Sequence, residues 1–249
     1  MPTFEHGDVT IHYEEAGSGP PLLVIPGGGL NATIAGLTTH AINPLKDLSD
    51  SYRVIALDLR NAKGGGTQGP LDIERTWDGF TDDQLALMDH LGIDRFLVMG
   101  FCIGGPMIWN LIKRAGGRVI AAVMGHPSGY TSSHPDLYYN NNITGWAPDF
   151  VARRSDVTME MCSEFLHNMY TKRADFVLTV DRDFVRNCPS PVLILPDDIP
   201  AHPYATAMEA ALLAPNSQVS LYPWKENDRK IELALRHVRG FLANNAPAG

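Results

Sequence analysis

The stretch "VMGFCIGGP", Val98 to Pro106, sets a cysteine between glycines in the spacing G-x-C-x-G, where a catalytic serine commonly stands. The apolar run "RFLVMGF" leads into Cys102, and a helical pattern starts directly after Gly105. A sharp strand-to-helix turn forces residue 102 toward forbidden backbone space, and glycines two before and two after it let the chain pass without clashes. The side chain is then held out over the edge of a sheet. The Ile103 N–H falls at a helix N-terminus, where it can bind a developing oxyanion. The same helix end favours thiolate over thiol. A small buried hydrophobe is the other reading of a free cysteine; the turn favours Cys102 as nucleophile.

Other chemistry-bearing residues form no comparable pattern. His40, His90, His134 and His167 lack metal-ligand spacing such as H-E-x-x-H, so no metal is expected. The run Gly64 to Gly66 is not a phosphate loop, because no Lys-Ser/Thr follows it and it lacks a strand-to-helix setting. No organic cofactor site is visible.

Elements that would position Cys102 can be read along the chain. "TFEHGDVTIHYEEAG" alternates around Gly7-Asp8 and predicts a β-hairpin. "PLLVIPGGG", "YRVIALDLR", "RFLVMGFC", "RVIAAVMGH", "PVLILP" and "QVSLYPW" are short apolar runs suited to strands buried on both faces. "TDDQLALMDHLG" opens on Thr81, an N-cap signal, and closes on Gly92, with Leu85, Met88 and Leu91 on one face. "PMIWNLIKRAG" follows the cysteine turn, and "HPYATAMEAALLAPN" precedes the last strand. In the final helix, Ile231, Leu235, Val238 and Leu242 repeat at core-facing spacing. Strands alternating with helices predict an α/β fold, a doubly wound and mostly parallel sheet with right-handed crossovers.

From 127 to 188 no buried strand is evident, and "PDFVARRSD" and "TMEMCSEFLHNMYTKRADF" read as helical. The expected organisation is a core over 1–126 and 189–249 with a helical cap over 127–188. Such a cap would cover the sheet's carboxyl edge, where ligands bind in open α/β sheets.

The chain has 249 residues, 44% of them hydrophobic, enough for a sizeable core. A net charge of -8 argues against nucleic acid as a partner. The start, "MPTFEHGDVTIHYEE", has neither a basic n-region nor an apolar h-region, and no membrane-spanning run occurs. Three sparse cysteines, Cys102, Cys162 and Cys188, point to a reducing compartment, and the expected location is cytoplasmic. The oligomeric state, a homodimer included, stays open.

With its elbow in this setting, the chain resembles the α/β-hydrolase superfamily over nearly its whole length. "LLVIPGGG" is similar to that family's oxyanion loop, with Gly27, Gly28 and Gly29 in its glycine-rich motif; Gly28 is the expected second backbone donor beside Ile103. "VIALDLRNAKGGG" is similar to the next strand and its Asp-x-Arg turn at Asp58 and Arg60, and "DHLGIDRFLVMGFCIGG" to the lead-in to the nucleophile. The resemblance implies an acid after "PVLILP", at Asp197 or Asp198. "DIPAHP" is similar to the family's acid loop and favours Asp198. It also implies a histidine after "QVSLYPW", where this chain has Lys225 and Glu226 instead. His237 lies inside the last helix and reads as structural.

Two histidines fall at strand ends on the elbow's edge: His202 in "DDIPAHP" and His126 in "VMGHPSG". His202 is the preferred base, with Asp198 or Glu226 orienting it. The expected activity is a cysteine hydrolase cleaving a small ester, lactone or thioester through an acyl-enzyme. Dienelactone hydrolases use cysteine in a similar elbow but are compact, and the cap departs from them. The "GFCIGG" box also resembles that of the much longer polyhydroxyalkanoate synthases, so a thioester-using acyltransferase stands as an alternative. So does a lyase, cyclase or ligand-binding member of the fold. Trp146, Phe150, Phe165 and Tyr170 in the cap suggest an apolar or aromatic substrate.

Overall fold

The computed structural model describes residues 2–172 and 175–247. Eight strands form one sheet in the order β1-β2-β4-β3-β5-β6-β7-β8. They are β1 (Thr3–His6), β2 (Val9–Ala16), β3 (Pro21–Ile25), β4 (Arg53–Leu57), β5 (Phe96–Phe101), β6 (Val119–Gly125), β7 (Val192–Leu195) and β8 (Ser217–Val219). β1 and β2 form the hairpin, and β2 also runs antiparallel to β4. From β4 to β8 every pairing is parallel.

The helices are α1 (Pro44–Asp47), α2 (Thr76–His90), α3 (Gly104–Arg114), α4 (Leu137–Gly145), α5 (Ala147–Arg153), α6 (Met159–Leu166), α7 (Arg182–Arg186), α8 (Tyr204–Leu213) and α9 (Asp228–Asn245). α2 starts earlier than the sequence predicts, so Thr81 is not its N-cap. Trp77 and Phe80 are buried and extend the helix's apolar face toward the cap. Thr81 instead lies inside, its hydroxyl accepting from Asn110 of α3 at 2.9 Å.

The apolar strand runs are buried on both sides, and alternation sorts them between two cores. Leu23, Ile25, Val98, Ala122, Met124, Val192 and Ile194 face α2, α3 and α8. Leu22, Val24, Leu97, Met99, Val123, Leu193 and Leu195 face the other side, against Val238, Phe241 and Leu242 of α9. Trp109 of α3 and Phe101 of β5 are almost fully buried; each such side chain contributes roughly 2–3 kcal/mol of hydrophobic stabilisation. Ile231 and Leu235, expected in the core, are partly buried at its margin.

The segment between β6 and β7 carries α4 to α7 and a π-helical turn, His167–Thr171. It shares a single apolar cluster with α2 and α3. β3 lies between β4 and β5, so the chain's direction of winding reverses there. The loops after β3, β5, β6, β7 and β8 all leave the carboxyl edge of the sheet, the usual ligand-binding crevice of such folds.

Candidate active site

Cys102 sits at the β5–α3 turn with φ 53°, the left-handed conformation that a non-glycine residue adopts only when its surroundings impose it. Three contacts impose it. Cys102 donates its N–H to Gly125 O at 3.1 Å, and its carbonyl accepts from Gly105 and Ser128 at 3.0 and 2.9 Å. The glycines are required by space. A Cβ on Gly100 would lie 3.0 Å from Ile108 Cδ1, one on Gly104 3.1 Å from Ile25 O, and one on Gly105 2.4 Å from Pro127 Cβ. The third glycine of the motif thus lets α3 pass under the β6 loop.

The thiol is half-buried. Ser128 Oγ lies 3.5 Å from Cys102 Sγ, and the Gly28 N–H also faces the sulfur. Ile103 caps the N-terminus of α3, and its N–H donates to no main-chain carbonyl among the described residues. Gly28 and Ile103 both line the cavity beside Cys102.

His202 comes from the loop between β7 and α8. Its Nδ1 lies 3.1 Å from Asp197 Oδ2. Its Nε2 is buried without a hydrogen-bond partner of ordinary geometry, and Cys102 is the group it faces most strongly. The thiol and the imidazole shift one another's proton affinity although no hydrogen bond of ordinary geometry joins them, as is common before substrate tightens a site. Burial pushes the Cys102 thiol up, but His202, the Ser128 hydroxyl and the Gly28 N–H outweigh it and bring it down to about 7. Burial likewise pushes His202 down, and the sulfur and the Asp197 carboxylate more than reverse it, holding His202 above its ordinary value.

The carboxylate on His202 is Asp197, not Asp198. Asp197 is buried, whereas Asp198 is turned to solvent. Burial pushes Asp197 up, but Lys225 and His202 on its carboxylate prevail and hold it below the usual range. Glu226, the other acid considered, pairs with Lys230 at 2.5 Å. Sequence spacing alone could not separate neighbouring aspartates, because only the path of the loop decides which side chain turns inward.

His126 is not among the groups facing the thiol. It has φ 37° and donates its backbone N–H to Leu195 O at 2.7 Å. Its ring centroid lies 4.8 Å from that of His202, 5.8 Å from Trp224 and 5.9 Å from His40. Burial, followed by the charges of His202, Lys225 and His40, drives it down to about 2, so it is neutral. It stacks on Trp224 at 16° and meets the His202 ring at a tilt of 54°. His40 joins this layer, its Cε1 within 2.8 Å of where a Cβ on Gly27 would stand. Sequence reading gave His40 no partner, and nothing in its local pattern signals one. His237, by contrast, contacts Gln218 at 2.9 Å on the surface of α9.

A cavity of about 290 Å³ opens over the sulfur. Its wall includes Trp77, Tyr138, Asn142, Trp146, Tyr170 and Leu178. Of the four cap aromatics singled out in the sequence, Trp146 and Tyr170 reach the cavity. Phe150 and Phe165 pack behind Trp146, with centroids 4.8 and 5.7 Å from it. The Tyr138 hydroxyl lies 2.7 Å from Ala201 O and 3.0 Å from Gly129 O, tying α4 to the residue before His202. The Asp58 of the Asp-x-Arg turn is structural: it accepts from the Ile34 and Gly66 amides at 2.7 Å and contacts His12 at 2.6 Å.

Among the described residues, no cluster of His, Cys, Asp or Glu is arranged to hold a metal ion, and no helix is long and apolar enough to cross a membrane.

The alpha/beta hydrolase fold family matches residues 20–201, most of the chain, and the protein belongs to that family. Haloalkane dehalogenase 2 of Mycobacterium tuberculosis is 31% identical over 128 residues, 49% of this chain and 40% of the relative. The 2-hydroxy-6-oxo-6-phenylhexa-2,4-dienoate hydrolase of Comamonas testosteroni is 30% identical over 129 residues, 51% of this chain and 43% of the relative. These alignments thus span less than half the length of either relative. Among solved structures, the enol-lactonase of Burkholderia xenovorans LB400 superposes with a TM-score of 0.72 at 17% identity, covering 97% of this chain and 100% of the other. The meta-cleavage product hydrolase of Pseudomonas fluorescens IP01 superposes with a TM-score of 0.68 at 19% identity, covering 97% and 98%. At such identities these structures share the fold.

Proposed function

We propose that the protein is a cysteine-nucleophile hydrolase that cleaves a small ester, lactone or thioester through an acyl-enzyme. The observation that carries this reading is a Cys102 thiol on the wall of the cavity, backed by His202 and, through it, Asp197, with the thiol brought down to about 7. A thiolate at that value is substantially populated at neutral pH and is a strong nucleophile.

In this reading the Cys102 sulfur attacks the substrate carbonyl carbon and forms a C–S bond. The carbonyl electrons move to oxygen, held by the Gly28 and Ile103 N–H groups. When the carbonyl reforms, the bond to the leaving group breaks, and protonated His202 gives that group its proton. Water then attacks the thioester, His202 takes the water's proton, and the C–S bond breaks to return the thiolate. Asp197 keeps His202 Nδ1 protonated and Nε2 directed at the reacting atoms. Trp146 and Tyr170 favour an apolar or aromatic acyl group, and the cavity volume favours a small one. The names of similar proteins, an enol-lactonase and a 2-hydroxy-6-oxo-6-phenylhexa-2,4-dienoate hydrolase among them, agree with hydrolysis of small carbonyl compounds.

The test is a panel of p-nitrophenyl esters and aromatic lactones followed by stopped-flow and intact mass, with Cys102→Ala and His202→Ala alongside. A burst and an acyl adduct that vanish in Cys102→Ala support the reading. Turnover that survives Cys102→Ala refutes it. An acyl adduct that a thiol or alcohol acceptor discharges faster than water would make the enzyme a transferase.

A further inference from the structure

After β8, where the family resemblance calls for a histidine, the chain places Lys225. Its side chain is not idle. Lys225 Nζ lies 2.6 Å from Asp197 Oδ2, the same oxygen that faces His202 Nδ1 at 3.1 Å. One carboxylate oxygen therefore serves two cations-to-be. Lys225 is exposed along its side chain, but the oxygen it holds belongs to a buried acid.

We propose that Lys225 is a positioning residue that, by sharing Asp197 Oδ2 with His202, limits how firmly the imidazole holds its proton. This rests on the reading of Cys102 and His202 as nucleophile and base. The physical argument concerns balance. Asp197 and the Cys102 thiolate both favour protonated His202, and both lie close to it. Once Cys102 is acylated its negative charge is gone, but Asp197 with no counter-cation would still hold the proton on His202 and oppose its action as a base. A cation on the far side of the acid offsets one of those anions. The four groups then sum to zero charge: thiolate and carboxylate against imidazolium and ammonium. His202 stays within reach of both protonation states, as a group that gives a proton in one step and takes one in the next must.

The other groups around His202 do not supply this offset. His126 is neutral, and His40 lies beyond it. Asp198 is exposed, and the Tyr204 and Tyr222 rings lie tilted against one another, centroids 5.2 Å apart, both exposed to solvent. Lys225 also bears on the deeper layer, where its charge adds to the burial that lowers the proton affinity of His40 and His126.

The proposal is tested without relying on turnover. Protein carrying isotope-labelled histidine is titrated by NMR as wild type, Lys225→Met, Lys225→Arg and Glu226→Gln. The His202 titration should move upward by about half a pH unit or more in Lys225→Met, at least threefold in proton affinity. It should stay in place in Lys225→Arg, which keeps the cation, and in Glu226→Gln, which changes a neighbouring exposed charge. In stopped-flow with an activated ester, Lys225→Met should still acylate but release the acyl group more slowly, with the pH for half-maximal release raised. An unmoved His202 titration in Lys225→Met, or an equal shift in Glu226→Gln, overturns the proposal. If instead no acyl adduct forms on wild-type Cys102, the nucleophile reading has failed, and the titration still reports on Lys225 separately.

Discussion

The two halves of the candidate site are built differently. On one side, β5, the Cys102 turn and α3 are held by main-chain hydrogen bonds and by three glycines where a Cβ would be crowded, most severely at Gly105. On the other, the loops after β7 and β8 supply Asp197, His202 and Lys225, joined to each other through a single carboxylate oxygen. The first half is a backbone device, fixed by main-chain contacts. The second is a side-chain network, in which His202 comes from the same loop as Asp197 and a lysine stands in the expected place of the histidine. With the proposed roles, the elbow fixes the position of the nucleophile, whereas side chains from separate loops supply its base.

The largest effect should come from the shared point of the two halves. Cys102→Ala is expected to lower kcat/KM for an activated ester by at least about 10⁴-fold and to abolish the acyl adduct. Intact mass after rapid quench reads the adduct directly.

The network half is probed by its two aspartates. Asp197→Asn should lower kcat by roughly 10–100-fold, while Asp198→Asn changes it by less than about twofold. Steady-state kinetics on both variants check this. The reverse ranking would restore Asp198 as the acid and separate Asp197 from His202.

The backbone half is probed by Gly105→Ala. The added methyl collides with Pro127, 2.4 Å away; the expected destabilisation is about 1–3 kcal/mol, read as a lower melting midpoint. An unchanged midpoint would mean that the turn is softer than its contacts suggest.

The smallest expected change is a displacement along the pH axis. Iodoacetamide should alkylate Cys102 at a rate that rises with pH and is half-maximal near 7. Below that value the thiol is protonated and the rate falls; above it the thiolate dominates and the rate levels. Cys162 and Cys188 should stay silent across the same range, because burial pushes their thiols up, that of Cys162 to about 11. A midpoint near 8.5, the ordinary thiol value, would show that His202 exerts no hold on Cys102.

The sequence by itself determined the sheet and its elbow. Both depend on patterns that are local in the chain: apolar runs of strand length, helical periodicity, and glycines around Cys102. The glycines are legible as residue types, while what crowds Gly104 and Gly105, Ile25 and Pro127, comes from elsewhere in the chain. Thr81 shows where local signals stop, since the burial of Trp77 and Phe80 under the cap lengthened α2 beyond its apparent start. Only the tertiary structure decided that Asp197 rather than Asp198 turns inward, that His126 lies neutral beneath His202, and that His40 joins that layer. It also placed Lys225, distant in sequence, on the acid's oxygen. Those choices depend on loop paths and on burial in three dimensions, which set both the direction of a side chain and the proton affinity of the group at its end.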